Sequence, residues 1–486
     1  MKRRLYLLAS LSVCVYLLAS GALAFTGRPW FDEAMHAGPA LDLITRGVLG
    51  YPIGEPTNPS TRGIHDHMYQ TMPLGHLGQA VWYKLVGFGV LRMRAYHILW
   101  GLAALASWGF IVWTLTGSPA PALLASFLMG TDRAFADAAA SGRPDMMSAG
   151  LASLGIASYL ALRTRSLSAA VLCSQVLFAA SLFTHPVGAL AIFALVILAL
   201  HLDLRRLRRK HLFLAAVPYV VGFGLWGWYI SRDPVSFRAQ FAFNAAGRDK
   251  GITEPLRSIY REIKVRYVER MYLPPYATGI RHVTILIPIL YAAAALGLLF
   301  GPKKTRLLGV FAVVYFLAFS LLEAKKYPFY LVHTTMLLAS CLAVWAWQEW
   351  SQGRWRRMLA AASVAGLVTI HLGWIAYTCR QDAYHHSYLQ AMSYLDRHAG
   401  PDSLIVGESE LLFHYGFRGN IVDDAVLGYY SGKRADFIVA SFNGYGETIK
   451  DVASKDPAVG RYVHQTLADD YRQVYSDRIY TVYQRR

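Results

Sequence analysis

Two adjacent carboxylates, Asp32 and Glu33, stand in "PWFDEAMHAG" (29–38), directly after the first apolar segment of the chain. A loop that only joins two helices has no use for an acidic pair after a Trp-Phe step. Three other stretches carry ionisable groups at similar boundaries. "SGRPDMMS" (141–148) leads Arg143 and Asp145 into an apolar segment, and "EAKKYPFYLVH" (323–333) leads Lys325 and Lys326 into another. "HDHMYQTMPLGH" (65–76) is rich in histidine. A charge at a hydrocarbon boundary is costly unless it is paired or wet, which makes each of these positions a functional candidate. A carboxylate can take the proton of an acceptor hydroxyl or amine. A lysine or arginine can stabilise a departing phosphate. Together they suit transfer of a group from a phosphate-linked donor to a nucleophile.

Each feature also has a purely structural use. Asp32 or Glu33 can cap a helix N-terminus. Asp145 follows Pro144 and falls in a first helical turn, where the dipole favours Asp. The lysine pair can anchor a helix end at the interface. His65 and His67 are two residues apart, but with no cysteine or fixed carboxylate beside them they form no metal-ligand set, and a divalent metal is not expected.

The elements that must hold these residues are membrane helices. The chain has 486 residues, 55% of them hydrophobic and only 16% charged, against roughly a quarter charged in soluble domains. Apolar runs of about twenty residues recur, the length that crosses about 30 Å of hydrocarbon. The net charge of +18 does not point to nucleic acid, because the basic residues are dispersed through short loops: "LRTR" (162–165), "LRRLRRKH" (204–211), "GPKKTR" (301–306) and "GRWRR" (353–357). Such loops belong on the cytoplasmic side. The four cysteines, Cys14, Cys173, Cys341 and Cys379, form neither a metal spacing nor a disulfide framework.

Spans are expected near 146–162, 167–183, 186–202, 212–230, 282–300, 306–322, 328–347 and 357–378, after a first, uncleaved helix that begins at Lys2-Arg3-Arg4. Of the segments near 74–90, 95–115 and 119–135, one must fail to cross if Asp32 and Asp145 are to share the outer side. The total is then about eleven. The domain plan is a membrane domain, 1–379, with outer loops 26–73 and 231–281, followed by an extracytoplasmic α/β domain, 380–486. In that last segment "DSLIVGES", "ADFIVASF" and "RIYTVYQ" read as strands and "HSYLQAMSYLDRHAG" as an amphipathic helix stopped by Gly400-Pro401.

The order of the motifs resembles the GT-C fold glycosyltransferases that use polyprenyl-phosphate sugars. The likeness is to the branch with protein O-mannosyltransferases, the aminoarabinose transferase of lipid A and the galacturonosyltransferases of rhizobial lipopolysaccharide. It rests on "FDEAMHAG" (31–38), "TMPLGHLGQAVWYKLVGFG" (71–89), "GRPDMM" (142–147) and "KYPFYLVH" (326–333), and spans residues 1–350. The resemblance implies Asp32 as catalytic base and Asp145 as the second acidic position. It places Lys326 beside the lipid phosphate, with Tyr330 in the same Lys-x-Pro-x-Tyr motif. Glu33 would support the loop or a neighbouring helix end within the substrate site. Relatives often carry Arg where this chain has Met35, a second Pro or a Lys where it has Met72, and Pro where it has His333. Phosphate contacts would then be redistributed to His36, His67 or Arg143.

The resemblance implies an enzyme of the bacterial inner membrane, working on its extracytoplasmic side on a lipid-linked sugar donor. The acceptor would be a glycolipid, a glycan or a protein, and neither a cofactor nor nucleic acid would take part. A transporter or lipid flippase is the competing reading. It calls for repeated halves or broken helices with mid-helix acids, whereas Asp32 and Asp145 lie at loop–helix junctions.

Overall fold

The computed structural model describes residues 2–245, 250–270, 281–418, 420–441 and 444–486. Parts of the outer loop 231–281 therefore lie outside the described residues. Among the described residues nine helices are long and apolar enough to cross a membrane: Leu5–Thr26, Val90–Thr116, Pro144–Leu162, Leu167–Thr184, Pro186–Arg206, Arg209–Ile230, Lys303–Leu322, Pro328–Trp350 and Arg354–His398. Two shorter apolar helices, Pro119–Thr131 and Leu286–Leu299, join them. The chain is a polytopic α-helical membrane protein with a small α/β segment at its C-terminal end.

The segment expected near 74–90 forms the helix Pro73–Val86, which has 14 residues and is not among the apolar helices just named. It buries His76, Gln79 and Tyr83 and packs Ala80 and Tyr83 on Ala37 and Ala40 of the helix Phe31–Thr45.

The described residues fall into two compact units. One contains Met1–Leu23, Arg94–Trp228 and Ala245–Tyr377. Its helices have few large polar groups to pair, so close approach of small residues holds them together. Pro144–Leu162 and Leu167–Thr184 meet where Gly155 faces the Phe178 ring. Nearby, Ser148 and Ser181 exchange hydrogen bonds, with Oγ–Oγ at 2.9 Å and Ser181 Oγ donating to the Ser148 carbonyl at 2.7 Å. The basic loops close on one acid. Arg163 Nε and Arg206 Nη1 reach the buried Asp203 at 2.6 and 2.7 Å, and Tyr159 donates to it at 3.0 Å. A second buried acid, Asp132, caps Arg133–Ala140 through Phe135 N and accepts the Tyr291 hydroxyl at 2.8 Å.

The other unit contains Ala24–Met93, Tyr229–Asn244 and Thr378–Arg486. Its sheet has strands β1 Ile405–Gly407, β2 Ile421–Val422, β3 Phe437–Ser441, β4 Tyr471–Ser476 and β5 Tyr480–Arg485, in the order β2-β1-β3-β5-β4. β1 pairs in parallel with β2 and β3, while β5 runs antiparallel to β3 and β4. Successive strand residues point to opposite faces. Ile405 and Val439 face Ala391, Met392 and Leu395 of the helix Leu389–His398. Val406 and Ile438 face Tyr445 and Val463, from the helices Tyr445–Lys455 and Pro457–Asp470. Strands β1, β3 and β5 and the helix 389–398 fall where the sequence puts them. The two-residue β2 and the polar β4 carry no alternation to mark them. Residues 53–55 pair along the outer edge of β2, with Asp423 N donating to Ile53 O at 2.6 Å and Glu55 N to Asp423 O at 3.1 Å, which closes an edge otherwise open to pairing.

Gly38 lies where the helix Phe31–Thr45 meets Tyr51, and any Cβ there would collide with the Tyr51 ring and crowd Leu412. Gly38→Ala is expected to lower stability by about 1–3 kcal/mol, the usual cost of overpacking. Thermal unfolding of the purified variant beside the wild type measures it, and an unchanged midpoint would mean that the ring yields freely.

Candidate active site

The first cluster sits on the helix Phe31–Thr45. Trp30 is extended just before it, and Glu33 turns back to accept the Trp30 N–H at 2.9 Å. That carboxylate is buried, and it satisfies one of the donors a helix start leaves open. Asp32, one residue earlier, is half-buried, in the first turn where a negative charge is favoured. The pair thus divides its work, with Glu33 holding the helix start and Asp32 at its partly open side. Upstream, Arg28 fastens the loop by bonds of 3.1 Å to both Glu410 Oε1 and the Tyr480 hydroxyl.

The histidines of 65–76 each have a place. His65 Nε2 lies 2.7 Å from Gly54 O. Burial pushes the His76 imidazole down to about 4, so the ring is neutral at ordinary pH. Its Nδ1–H donates to His36 O at 2.9 Å, which leaves Nε2 to accept the Thr71 hydroxyl at 2.6 Å. His36 is buried and stacks on the His76 ring at 5.9 Å. His67 lies parallel to Tyr69, centroids 5.5 Å apart. Gln240, on the helix Pro234–Ala245, pins this loop by donating to His67 O and Arg62 O, both at 2.9 Å, and accepting from Tyr69 N at 2.7 Å. Among the described residues no group of three or more His, Cys, Asp or Glu is arranged to hold a metal ion.

The second cluster belongs to the other unit. Asp145, in the first turn of Pro144–Leu162, is fully buried, and its Oδ2 accepts Arg143 Nε at 2.8 Å. Its Oδ1 faces His185 Nε2 at 3.9 Å and accepts no hydrogen bond among the described residues. The Arg143 guanidinium lies 4.4 Å over the Phe329 ring. The His185 ring lies 5.0 Å from that of Tyr330. Arg143, Asp145 and Tyr330 therefore meet in one cluster, as the motifs imply, with His185 as a member the sequence analysis did not single out.

The third cluster surrounds Lys326. Pro328 opens a 3-10 turn, Pro328–Leu331, that leads into the helix Val332–Trp350. Lys325 is half-buried and Lys326 wholly buried, so the two lysines diverge. Lys326 has a left-handed backbone, φ 58°, a conformation that costs a non-glycine residue about 1–3 kcal/mol unless its surroundings hold it. Glu323 supplies that hold, accepting Lys326 N at 2.7 Å and Lys325 N at 3.0 Å. The Lys326 ammonium lies 2.7 Å from Ser320 O and 3.4 Å from Phe319 O, two carbonyls near the end of the helix Lys303–Leu322. It also pairs with Glu262 Oε2 at 3.1 Å. Arg266 Nη1 meets the other Glu262 oxygen at 3.1 Å and bonds Glu323. Two acids and two bases thus form a closed, buried quartet. Burial pushes the Glu262 carboxyl up and the Lys326 ammonium down, and the opposite charges draw each back. Glu262 and Arg266 were not among the sequence candidates. Their signal was an acid and a base four residues apart, which share a helix face.

No protein-family model and no curated protein matches the sequence. Solved structures do match its fold. ArnT from Cupriavidus metallidurans, bound to undecaprenyl phosphate, superposes with a TM-score of 0.61 at 16% identity, covering 98% of this chain and 97% of that one. The oligosaccharyltransferase of Archaeoglobus fulgidus tethered to an acceptor peptide gives 0.57 at 11% identity, covering 100% and 74%. The same enzyme with zinc and sulfate gives 0.52 at 10% identity, covering 98% and 73%. The fold of this chain is the GT-C fold of those glycosyltransferases.

The Arg143–Asp145 pair is buried, so breaking it should cost more than removing it. Asp145→Leu takes the carboxylate from a buried guanidinium and is expected to destabilise by about 3–5 kcal/mol, while Arg143→Met with Asp145→Leu should cost clearly less. Thermal unfolding of both variants in detergent decides it. A double variant no better than the single would show that the pair's cost lies in packing.

Proposed function

We propose that the chain is an integral membrane glycosyltransferase that moves a sugar from a polyprenyl-phosphate donor to an acceptor on the outer face of a bacterial inner membrane. The observation that carries this reading is the fold. It extends over nearly the whole length of a transferase bound to undecaprenyl phosphate, on a chain whose acidic and basic motifs follow the same order. The acceptor is a glycolipid, a polysaccharide or a protein. The C-terminal α/β segment lies outside the membrane on the same side.

Asp32 is the base in this reading. Its carboxylate is partly open, while Glu33 beside it is committed to the helix start. As the acceptor oxygen or nitrogen attacks the anomeric carbon, its proton passes to Asp32. The carbon–oxygen bond to the phosphate breaks, and the bonding pair leaves with the polyprenyl phosphate. Basic side chains stabilise that leaving anion, with Lys326 foremost. Asp145 is a positioning residue that orients Arg143, to which it is bonded. His36 and His67 line the outer loop, and Tyr330 packs beside His185 near Arg143.

Asp32→Asn should keep folding and membrane insertion and lower turnover by about two to four orders of magnitude, the usual worth of a positioned base. The measurement is transfer by the purified variant from a polyprenyl-phosphate sugar to envelope acceptors, and near-normal turnover removes Asp32 from this role.

The donor carries a monophosphate, which lysine and arginine can neutralise, and His65 and His76 are hydrogen-bonded to protein groups. Turnover in EDTA should therefore equal that without it. Loss on chelation, with recovery on adding Mn²⁺, would recast Asp32 as a metal ligand.

A further inference from the structure

The quartet of Glu262, Arg266, Glu323 and Lys326 contains one ion pair that is out of place in a purely structural role. An ammonium has three donors. Lys326 donates to two carbonyls, Ser320 O and Phe319 O, and pairs by charge with one carboxylate oxygen of Glu262. The carbonyls belong to the end of the helix Lys303–Leu322, six and seven residues back along the same turn. They fix where the ammonium stands. Glu262 is different, because it arrives from a separate segment, on the far side of residues 271–280 in the chain. That segment is also fastened where Ser258 donates to Ser320 O, where Arg266 bonds Glu323 and where Tyr267 packs on Phe316. Ser258, Glu262 and Arg266 succeed one another at four-residue spacing, so they share one face and present it to the same helix end.

A carboxylate oxygen 3.1 Å from the ammonium, with a guanidinium on its other oxygen at 3.1 Å, is the environment a phosphate oxygen would choose. Both partners of Glu262 are cations, and both would serve a phosphate as well. Resting on the reading of the chain as a lipid-phosphate-dependent transferase, we propose that Glu262 is a built-in stand-in for the donor phosphate. Its carboxylate holds the Lys326 and Arg266 cations in place and neutral overall while the site is empty, and the lipid phosphate displaces it. The exchange is one anion for another, so neither cation is ever buried alone, the state that costs most. Glu323 stays behind, bonded to Arg266 and to the backbone of Lys325 and Lys326. It keeps the turn in shape through the exchange. Glu262 is a positioning residue under this proposal, and it lowers apparent donor affinity by occupying the phosphate's place.

The test uses the full chain in nanodiscs, with undecaprenyl phosphate as probe and undecaprenol as its uncharged control. Glu262→Gln keeps the size and an acceptor oxygen but drops the charge. It should bind undecaprenyl phosphate about three- to tenfold more tightly, since a larger fraction of the protein is ready for the anion, with undecaprenol binding unmoved. Glu262→Asp, whose charge stands one methylene further from the ammonium, should gain less, and it carries the test if the glutamine variant does not fold. Adding Lys326→Met should erase the gain. If the wild type prefers undecaprenyl phosphate to undecaprenol but Glu262→Gln binds it equally or more weakly, Glu262 is a structural counter-ion and the stand-in is overturned while the donor reading survives. If the wild type and every variant treat the two lipids alike, both the donor reading and this inference fall.

Discussion

A charge withdrawn from water must find an opposite charge, and that requirement organises three groups of buried acids in this apolar chain. The desolvation of a single carboxylate costs several kcal/mol even after relaxation. Asp203 gathers Arg163 and Arg206, Asp145 is bonded to Arg143, and Glu262 with Glu323 holds Arg266 and Lys326. The groups at Asp203 and at Glu262 join elements that lie apart in sequence. The basic loops at 163–166 and 203–211 close on Asp203, and the outer segment carrying Glu262 closes on the turn that carries Lys326. Pairing thus serves as architecture as well as compensation. A break in any group leaves a buried ion of one sign.

The same requirement shows which acids hold the fold. Glu33 is spent on a helix start, and the charges of Asp145 and Glu262 are balanced by Arg143 and by Arg266 with Lys326. Asp32 is half-buried at the first turn of its helix, where the peptide dipoles favour its anionic form. Its loop is held by Arg28 on Glu410 and Tyr480, and its helix by close packing at Gly38.

The C-terminal segment is joined to the first outer loop within one compact unit by the pairing of residues 53–55 on β2 and by Lys433 on the buried Glu55 at 2.8 Å.

The sequence by itself determined the membrane class, the long spans, the boundary positions of Asp32, Asp145 and Lys326, and three of the five strands. These follow from local properties: run length against hydrocarbon thickness, alternation of side chains along a strand, and the chemistry of a helix's first turn. Glu33 supports a helix start, as the chemistry of a first turn leads one to expect, whereas Lys325 and Lys326 part for a different reason, a left-handed turn that Glu323 holds. Only the tertiary structure decided that the front helix Pro73–Val86 packs on Phe31–Thr45. It alone decided that Lys326 is buried and that its charged partner is Glu262, 64 positions earlier. No local pattern encodes that distance. Which charges meet inside a bundle depends on how the helices pack, and the cost of burying an ion makes the meeting necessary without saying where along the chain the partner will be found.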